Sequence, residues 1–328
     1  MYQDEIIIDG LQYCLWDRAY FESLKQSGVT AVHVTLVYHE TARETLTRFA
    51  EWNLHFERNS DLIMPVMSMD DVFKAKREGK VGIFFGAQNC SPIDDEIGLI
   101  EVMRKLGLLI MQLTYNNQSL LATGCYEQED SGVTRFGKQA IAEMNRVGMI
   151  VDMSHSSERS TLEAIELSSR PICISHANPQ RAHPALRNKS DEVIRALCER
   201  GGLLGFSLYP FHLPGGSDCS LEDFCRMVAD TAEMVGVEHL AIGSDLCQNQ
   251  PQSVLEWMRN GRWSKSLDYG EGSASNAGWP AALPWFPETS GLKNIYQGLR
   301  EIGFSEQEVA GILGRNWLTF LEDGLKPE

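Results

Sequence analysis

Along this chain the spacing of apolar residues switches repeatedly between strand-like and helix-like. Short apolar runs fall at residues 5–9, 31–36, 81–87, 109–114, 149–153, 172–175, 203–208 and 240–244, with helical segments between them. Strands that alternate with helices imply right-handed parallel crossovers, and eight such units can close on themselves. The predicted fold class is therefore α/β, a (β/α)8 TIM barrel. A doubly wound open sheet shows the same alternation but usually carries GxGxxG after its first strand, and none follows here. Helix signals agree with the alternation. Ser68 with Asp71, Ser220 with Asp223 and Ser305 with Glu308 fit a capping box or its aspartate variant, and Gly148 and Gly236 fit C-terminal caps.

Composition narrows the class. The 328 residues are 43% hydrophobic, enough for a large core, and one barrel domain over residues 1–328 is expected. A formal charge of -16 repels polyphosphates, so nucleic acid is not an expected partner. The opening MYQDEIIIDG holds only a brief apolar stretch and no basic leader, which predicts neither signal peptide nor membrane span and a cytoplasmic protein. Eight cysteines without a CxxC pair read as reduced thiols. A stretch from about 247 to 290, rich in Gly, Ser, Asn and Pro, holds four of the seven tryptophans: Trp257, Trp263, Trp279 and Trp285. It is expected to overhang the C-terminal mouth of the barrel, as a lid, as a subunit interface of a homodimer, or as both.

Side chains just past the C-terminal ends of barrel strands face the active site, so chemistry is sought there. The fifth predicted strand runs into Val-Asp-Met-Ser-His155 and the sixth into Ile-Ser-His176. Two imidazoles at equivalent ends of adjacent strands converge, which suits zinc. The eighth ends Ile-Gly-Ser-Asp245, a carboxylate able to take and return a proton beside an activated water. Arg187, between the sixth and seventh strands, has the fork geometry to grip a substrate carboxylate.

These segments resemble the membrane (renal) dipeptidase family of zinc amidohydrolases. The stretch from Gly132 (GVTRFGKQAIAEMNRVGMIVDMSH) to His155, then Ser175-His176-Ala-Asn, Arg187-Asn188, Ile242-Gly-Ser-Asp245 and Leu313-Gly-Arg-Asn316-Trp follow in the family's order over essentially the whole chain. The resemblance implies a metal-dependent hydrolase of dipeptides or other small amides. In it His155 and His176 are zinc ligands, Asp245 is the proton shuttle, Arg187 clamps the substrate and Tyr209 helps hold its carboxylate. Departures are equally specific. Where the family has Asp-Gly-His-x-Asp, this chain has Asp9-Gly10-Leu11-Gln12-Tyr13, and Leu11 cannot ligate. Gln88 stands where a glutamate bridges two zinc ions, and a neutral amide cannot balance two dications. Tyr115 replaces the histidine that polarises the scissile carbonyl, a task a phenol can still perform.

One zinc on His155 and His176 is thus expected, with Gln88 as a candidate third donor and Tyr13, Cys14 or Cys90 as candidate replacements for lost ligands. The opposing expectation is a repurposed scaffold that binds a small amide or carboxylate without metal. A changed reaction on an unusual nitrogenous metabolite is a third.

Overall fold

Each predicted run is found as a strand, and one more joins them. In this computed structural model, which describes residues 4–262, 264–265 and 278–327, the strands are β1 (Ile8–Gln12), β2 (Ala31–Val37), β3 (Ile63–Pro65), β4 (Val81–Ala87), β5 (Leu108–Gln112), β6 (Ile150–Asp152), β7 (Cys173–Ile174), β8 (Leu203–Phe206) and β9 (Leu240–Ile242). They are parallel, in the order β1-β2-β4-β5-β6-β7-β8-β9. Past the end of β9, Asp245 donates its backbone N–H to Leu11 (3.0 Å) and Tyr13 donates to Leu246 (3.0 Å), which brings the last strand against the first. The result is a near-closed eight-stranded barrel. The short β3 pairs only with the start of β4, at residues 81–83, below the point where β5 takes over that edge at Phe85. Three residues ending in proline carry no readable period, which is why it was not expected.

The first strand lies further along than expected, at Ile8–Gln12 rather than 5–9. Asp and Gly are generally depleted in strands, and the predicted run ends just before Gly10. Asp9, however, is fully buried and accepts from Ser244 N (2.8 Å), Ser244 Oγ (2.5 Å) and Gln12 Nε2 (2.8 Å). A Cβ at Gly10 would lie 2.3 Å from the Trp317 ring, so only glycine fits there. The shift matters because it carries Leu11 and Tyr13 to the rim.

Between β2 and β4 the chain forms α2 (Ala42–Arg58) and α3 (Met69–Glu78). The other crossovers are α1 (Arg18–Gln26), α4 (Leu99–Leu106), α5 (Arg135–Val147), α6 (Glu158–Leu167), α7 (Asp191–Glu199) and α8 (Leu221–Val235). The predicted caps form: Asp71 accepts from Ser68 N (3.0 Å), Ser220 Oγ accepts from Asp223 N (3.0 Å), and Ser305 N donates to Glu308 (2.7 Å). Gly148 closes α5 at φ 68°. The stretch 247–290 is less irregular than expected, for α9 (Gln252–Asn260) occupies part of it with Leu255, Met258 and Arg259 buried. Trp257 packs on His39 and Trp279 on Tyr13 at the mouth, while Trp285 donates to the Cys219 carbonyl (2.7 Å). Trp263 lies outside the described residues.

After α10 (Leu292–Glu301) and α11 (Glu306–Ala310), the last helix, α12 (Asn316–Gly324), plugs the opposite end. Trp317 is fully buried among Ile8, Ala31, Phe84, Leu203 and Ala241 and donates Nε1–H to the Ile242 carbonyl (2.9 Å). Asn316 donates to the Val237 and Leu240 carbonyls (2.8 Å each). The Leu-Gly-Arg-Asn-Trp motif is thus a structural lock at the bottom of the barrel. Among the described residues no helix is long and apolar enough to cross a membrane.

Candidate active site

β6 and β7 are parallel neighbours, so the residues that follow them reach one rim. Asp152, at the end of β6, orders both extensions. Its carboxylate accepts from Ser154 N (3.0 Å), Ser154 Oγ (2.6 Å), Ser175 N (3.0 Å) and Ser175 Oγ (2.5 Å). With its proton given to Asp152, the Ser175 hydroxyl accepts from His176 Nδ1 (2.8 Å), which leaves His176 Nε2 with a free lone pair. His155 is set the same way: its Nδ1 faces Asn116 Oδ1 at 2.6 Å, so Nε2 carries the lone pair. Gln88 donates its amide N–H to Thr35 Oγ1 (2.8 Å) and thereby turns Oε1 toward His155 Nε2 (2.8 Å). His155 Nε2 and His176 Nε2 are 3.1 Å apart.

Three lone-pair atoms therefore meet at one point, two imidazole nitrogens and an amide oxygen. Acceptors this close repel one another unless a cation or a proton lies among them, and the arrangement suits one zinc ion. Among the described residues no group of three or more His, Cys, Asp or Glu side chains could hold a metal ion. The third lone-pair atom at this point is the neutral amide oxygen of Gln88. Burial, and then the Arg187 charge, hold both imidazoles well below their ordinary pKa, which keeps them neutral as ligation requires.

Gln88, Tyr115, His155, Arg187, Tyr209 and Asp245 line a single cavity of about 450 Å³. His176 is fully buried and meets it through His155. Asp245 sits at φ 57°, a left-handed conformation that Asp tolerates. Burial raises its carboxyl to about 7, with Arg187 pulling the other way. Arg187 is buried and donates to the Ser154 carbonyl and to the His176 carbonyl (3.1 Å), so it ties together the two loops that carry the histidines while facing the cavity. Burial pushes the Tyr209 phenol up to about 12, and Arg259 hydrogen-bonds it. Tyr115 stacks on His155 with ring centroids 4.0 Å apart and planes 23° from parallel.

Two of the candidate replacement ligands are not brought to the site. Cys14 is buried behind the rim, its Sγ donating to Tyr20 Oη (3.0 Å) and the Leu246 carbonyl (3.3 Å), and Cys90 is buried off the cavity wall. Burial raises these thiols to about 12 and about 11, which disfavours the thiolate that binds metal. Tyr13 does line the cavity, but burial and Asp245 hold its phenol well above its ordinary pKa, which disfavours the phenolate. Leu11 is fully buried beside Tyr13, Tyr38 and Tyr115. An apolar cluster has replaced a ligand position.

Sequence reasoning missed Asn116 and Arg259, which come from a loop and from α9. It also passed over Asp152 and Ser175, although a carboxylate inside the otherwise apolar run before His155 was a signal for an ordering group.

An eight-stranded parallel barrel of this kind has the amidohydrolase superfamily fold. The chain belongs to one family within it: the family model described as "Membrane dipeptidase (Peptidase family M19)" matches residues 21–258. It is similar to an amidohydrolase of solved structure from Pseudomonas aeruginosa, at 34% identity and TM-score 0.92, covering 99% of this chain and 98% of that one. A metallo peptidase from Rhodobacter sphaeroides, solved with a phosphinate mimic of the dipeptide L-Ala-D-Ala, shares the fold at TM-score 0.78 and 17% identity over 98% of this chain and all 100% of that one. The dipeptidase tcpJ of Claviceps purpurea is 23% identical over 290 residues, 88% of this chain and 61% of that protein. The chain spans 46 to 62% of the length of such curated relatives.

Proposed function

We propose that this protein hydrolyses dipeptides or similar small amides that end in a carboxylate, with one zinc held by His155, His176 and Gln88. The observation that carries this reading is the meeting of three lone-pair donors beside a cavity that also holds a carboxyl group and two buried arginines. When bound, the zinc supplies Lewis acidity and an acidified water. The chain's own groups do the rest. Arg187 and Tyr209, with Arg259 behind the phenol, orient the substrate carboxylate. Tyr115 donates its O–H to the carbonyl oxygen as negative charge develops there. Asp245 takes a proton from the attacking water and returns it to the amide nitrogen as the C–N bond breaks and the new C–O bond holds. Burial raises that carboxyl above its ordinary value and so favours the half of the exchange in which it holds the proton.

A second reading has one observation in its favour: Gln88 and Leu11 stand where a carboxylate and an imidazole would strengthen metal binding. In it the same cavity binds a small amide or carboxylate without hydrolysing it. Protein purified without chelator separates the two. Zinc near one per chain and chelator-sensitive cleavage of a dipeptide panel are expected, with cleavage abolished by His176→Ala. Metal-free protein that binds dipeptides and leaves them intact replaces the hydrolase with the binding scaffold. Neither nucleic acid nor membrane is a partner in this reading, and the cytoplasm is the proposed location. A homodimer formed through the tryptophan-rich stretch is proposed with it.

A further inference from the structure

Next to the site cavity lies a second one of about 440 Å³, and Tyr209 and Asp245 line both. Its other walls are mainly apolar, with Ser244 the polar exception: Leu208, Leu246, Leu283 and Phe286 are buried, and Trp279 and Ala282 stand among the rest. Asp245, on the shared border, is the one charged residue among its lining residues. A turn in which Phe286 N donates to the Leu283 carbonyl (3.0 Å) fixes the far wall, while Trp279 leans on Tyr13 at 6.2 Å between ring centroids. Nothing in the hydrolytic scheme above uses this space.

We propose that this second cavity receives the side chain of the substrate's carboxyl-terminal residue and selects a leucine- or phenylalanine-sized apolar group. The inference rests on the hydrolase reading for its orientation. Tyr209 is assigned to the terminal carboxylate and Asp245 to the amide nitrogen, and both of those groups are bonded to the α-carbon of the carboxyl-terminal residue. The side chain on that carbon points away from both groups, to a side set by its configuration, and the second cavity opens on one such side, from the border that Tyr209 and Asp245 share with the site cavity. An apolar group moved from water into these walls gains hydrophobic free energy, whereas an acidic or basic group loses hydration and meets no partner of opposite sign except the Asp245 carboxyl.

The test measures kcat/KM of the zinc-loaded protein on Gly-Gly, on Gly-X dipeptides with X as Leu, Phe, Asp and Lys in both configurations, and on the reversed Leu-Gly and Phe-Gly. Gly-Leu and Gly-Phe are expected to exceed Gly-Gly by roughly tenfold to hundredfold, the range a well-fitted apolar group gives. Ala282 is exposed on the cavity's edge, so Ala282→Trp fills the space without disturbing the core. It should lower the Gly-Leu to Gly-Gly ratio at least tenfold. A native ratio near one, a ratio unmoved by the substitution, or an effect that falls on Leu-Gly instead overturns the assignment. If no dipeptide is cleaved, the hydrolase reading fails on its own, and the cavity is then tested by calorimetric binding of free leucine, phenylalanine and glycine. Leucine bound at least tenfold more tightly than glycine, and weakened by Ala282→Trp, upholds the cavity. Equal or undetectable binding overturns it.

Discussion

Asp245→Asn should make this protein less active and more stable at once. The carboxyl rises from an ordinary value of 3.8 to about 7, chiefly because it is buried. A rise of about 3 pH units corresponds to roughly 4 kcal/mol at 1.36 kcal/mol per unit, and about 2 to 4 kcal/mol is expected once local relaxation is allowed. The sign follows from proton counting. Between pH 3.8 and about 7 the folded carboxyl keeps a proton that the unfolded chain has released, so stability falls as pH rises through that window. Asparagine has no such linkage and adopts the φ of 57° as readily as aspartate, so the backbone is not strained. The assay is urea denaturation of chelator-treated native and variant proteins at pH 4 and pH 8, since a cation at His155 and His176 would itself lower the carboxyl's pKa. The variant should gain about 2 to 4 kcal/mol over the native protein at pH 8 and little at pH 4. In the zinc-loaded enzyme the same change should cut kcat/KM by about 10² to 10⁴ and remove from its pH profile the limb that this carboxyl controls. A variant less stable than the native protein at pH 8, or one with unchanged kcat/KM, refutes the reasoning.

Gln88→Glu restores a charged donor beside His155, and zinc affinity in a competition titration should rise about tenfold or more, since a carboxylate neutralises part of the ion's charge. An unchanged affinity would show that the amide does not face the ion. Ser175→Ala removes the group that links His176 Nδ1 to Asp152, and zinc affinity should drop about 10- to 100-fold while the fold, read by circular dichroism, is retained. Full affinity in that variant would mean that the hydroxyl does not set the tautomer.

The alternation of apolar runs with capped helices was enough to specify a parallel barrel, because strand period, helix period and cap chemistry are local properties of the chain. Strand-end positions followed from it, so His155, His176 and Asp245 could be assigned to one rim before any coordinates. Ligand substitutions were equally legible: Leu11 cannot bind metal in any fold. What the local pattern could not convey was which side chains are held in place by remote partners. The run predicted at 5–9 stops short of Gly10, and only Ser244 and Trp317, more than two hundred residues away, let β1 continue through Asp9 and Gly10 to Gln12. Cys14 and Cys90 stand next to lost ligand positions in sequence, yet the alternation of side chains and the packing around them turn both away from the cavity. The tautomers of the two histidines, the buried charge of Arg259 against Tyr209, and the apolar cavity behind Asp245 all depend on burial and on contacts between distant segments. Burial is a property of the closed barrel, and the electrostatics of the site were therefore decided only when the strands met.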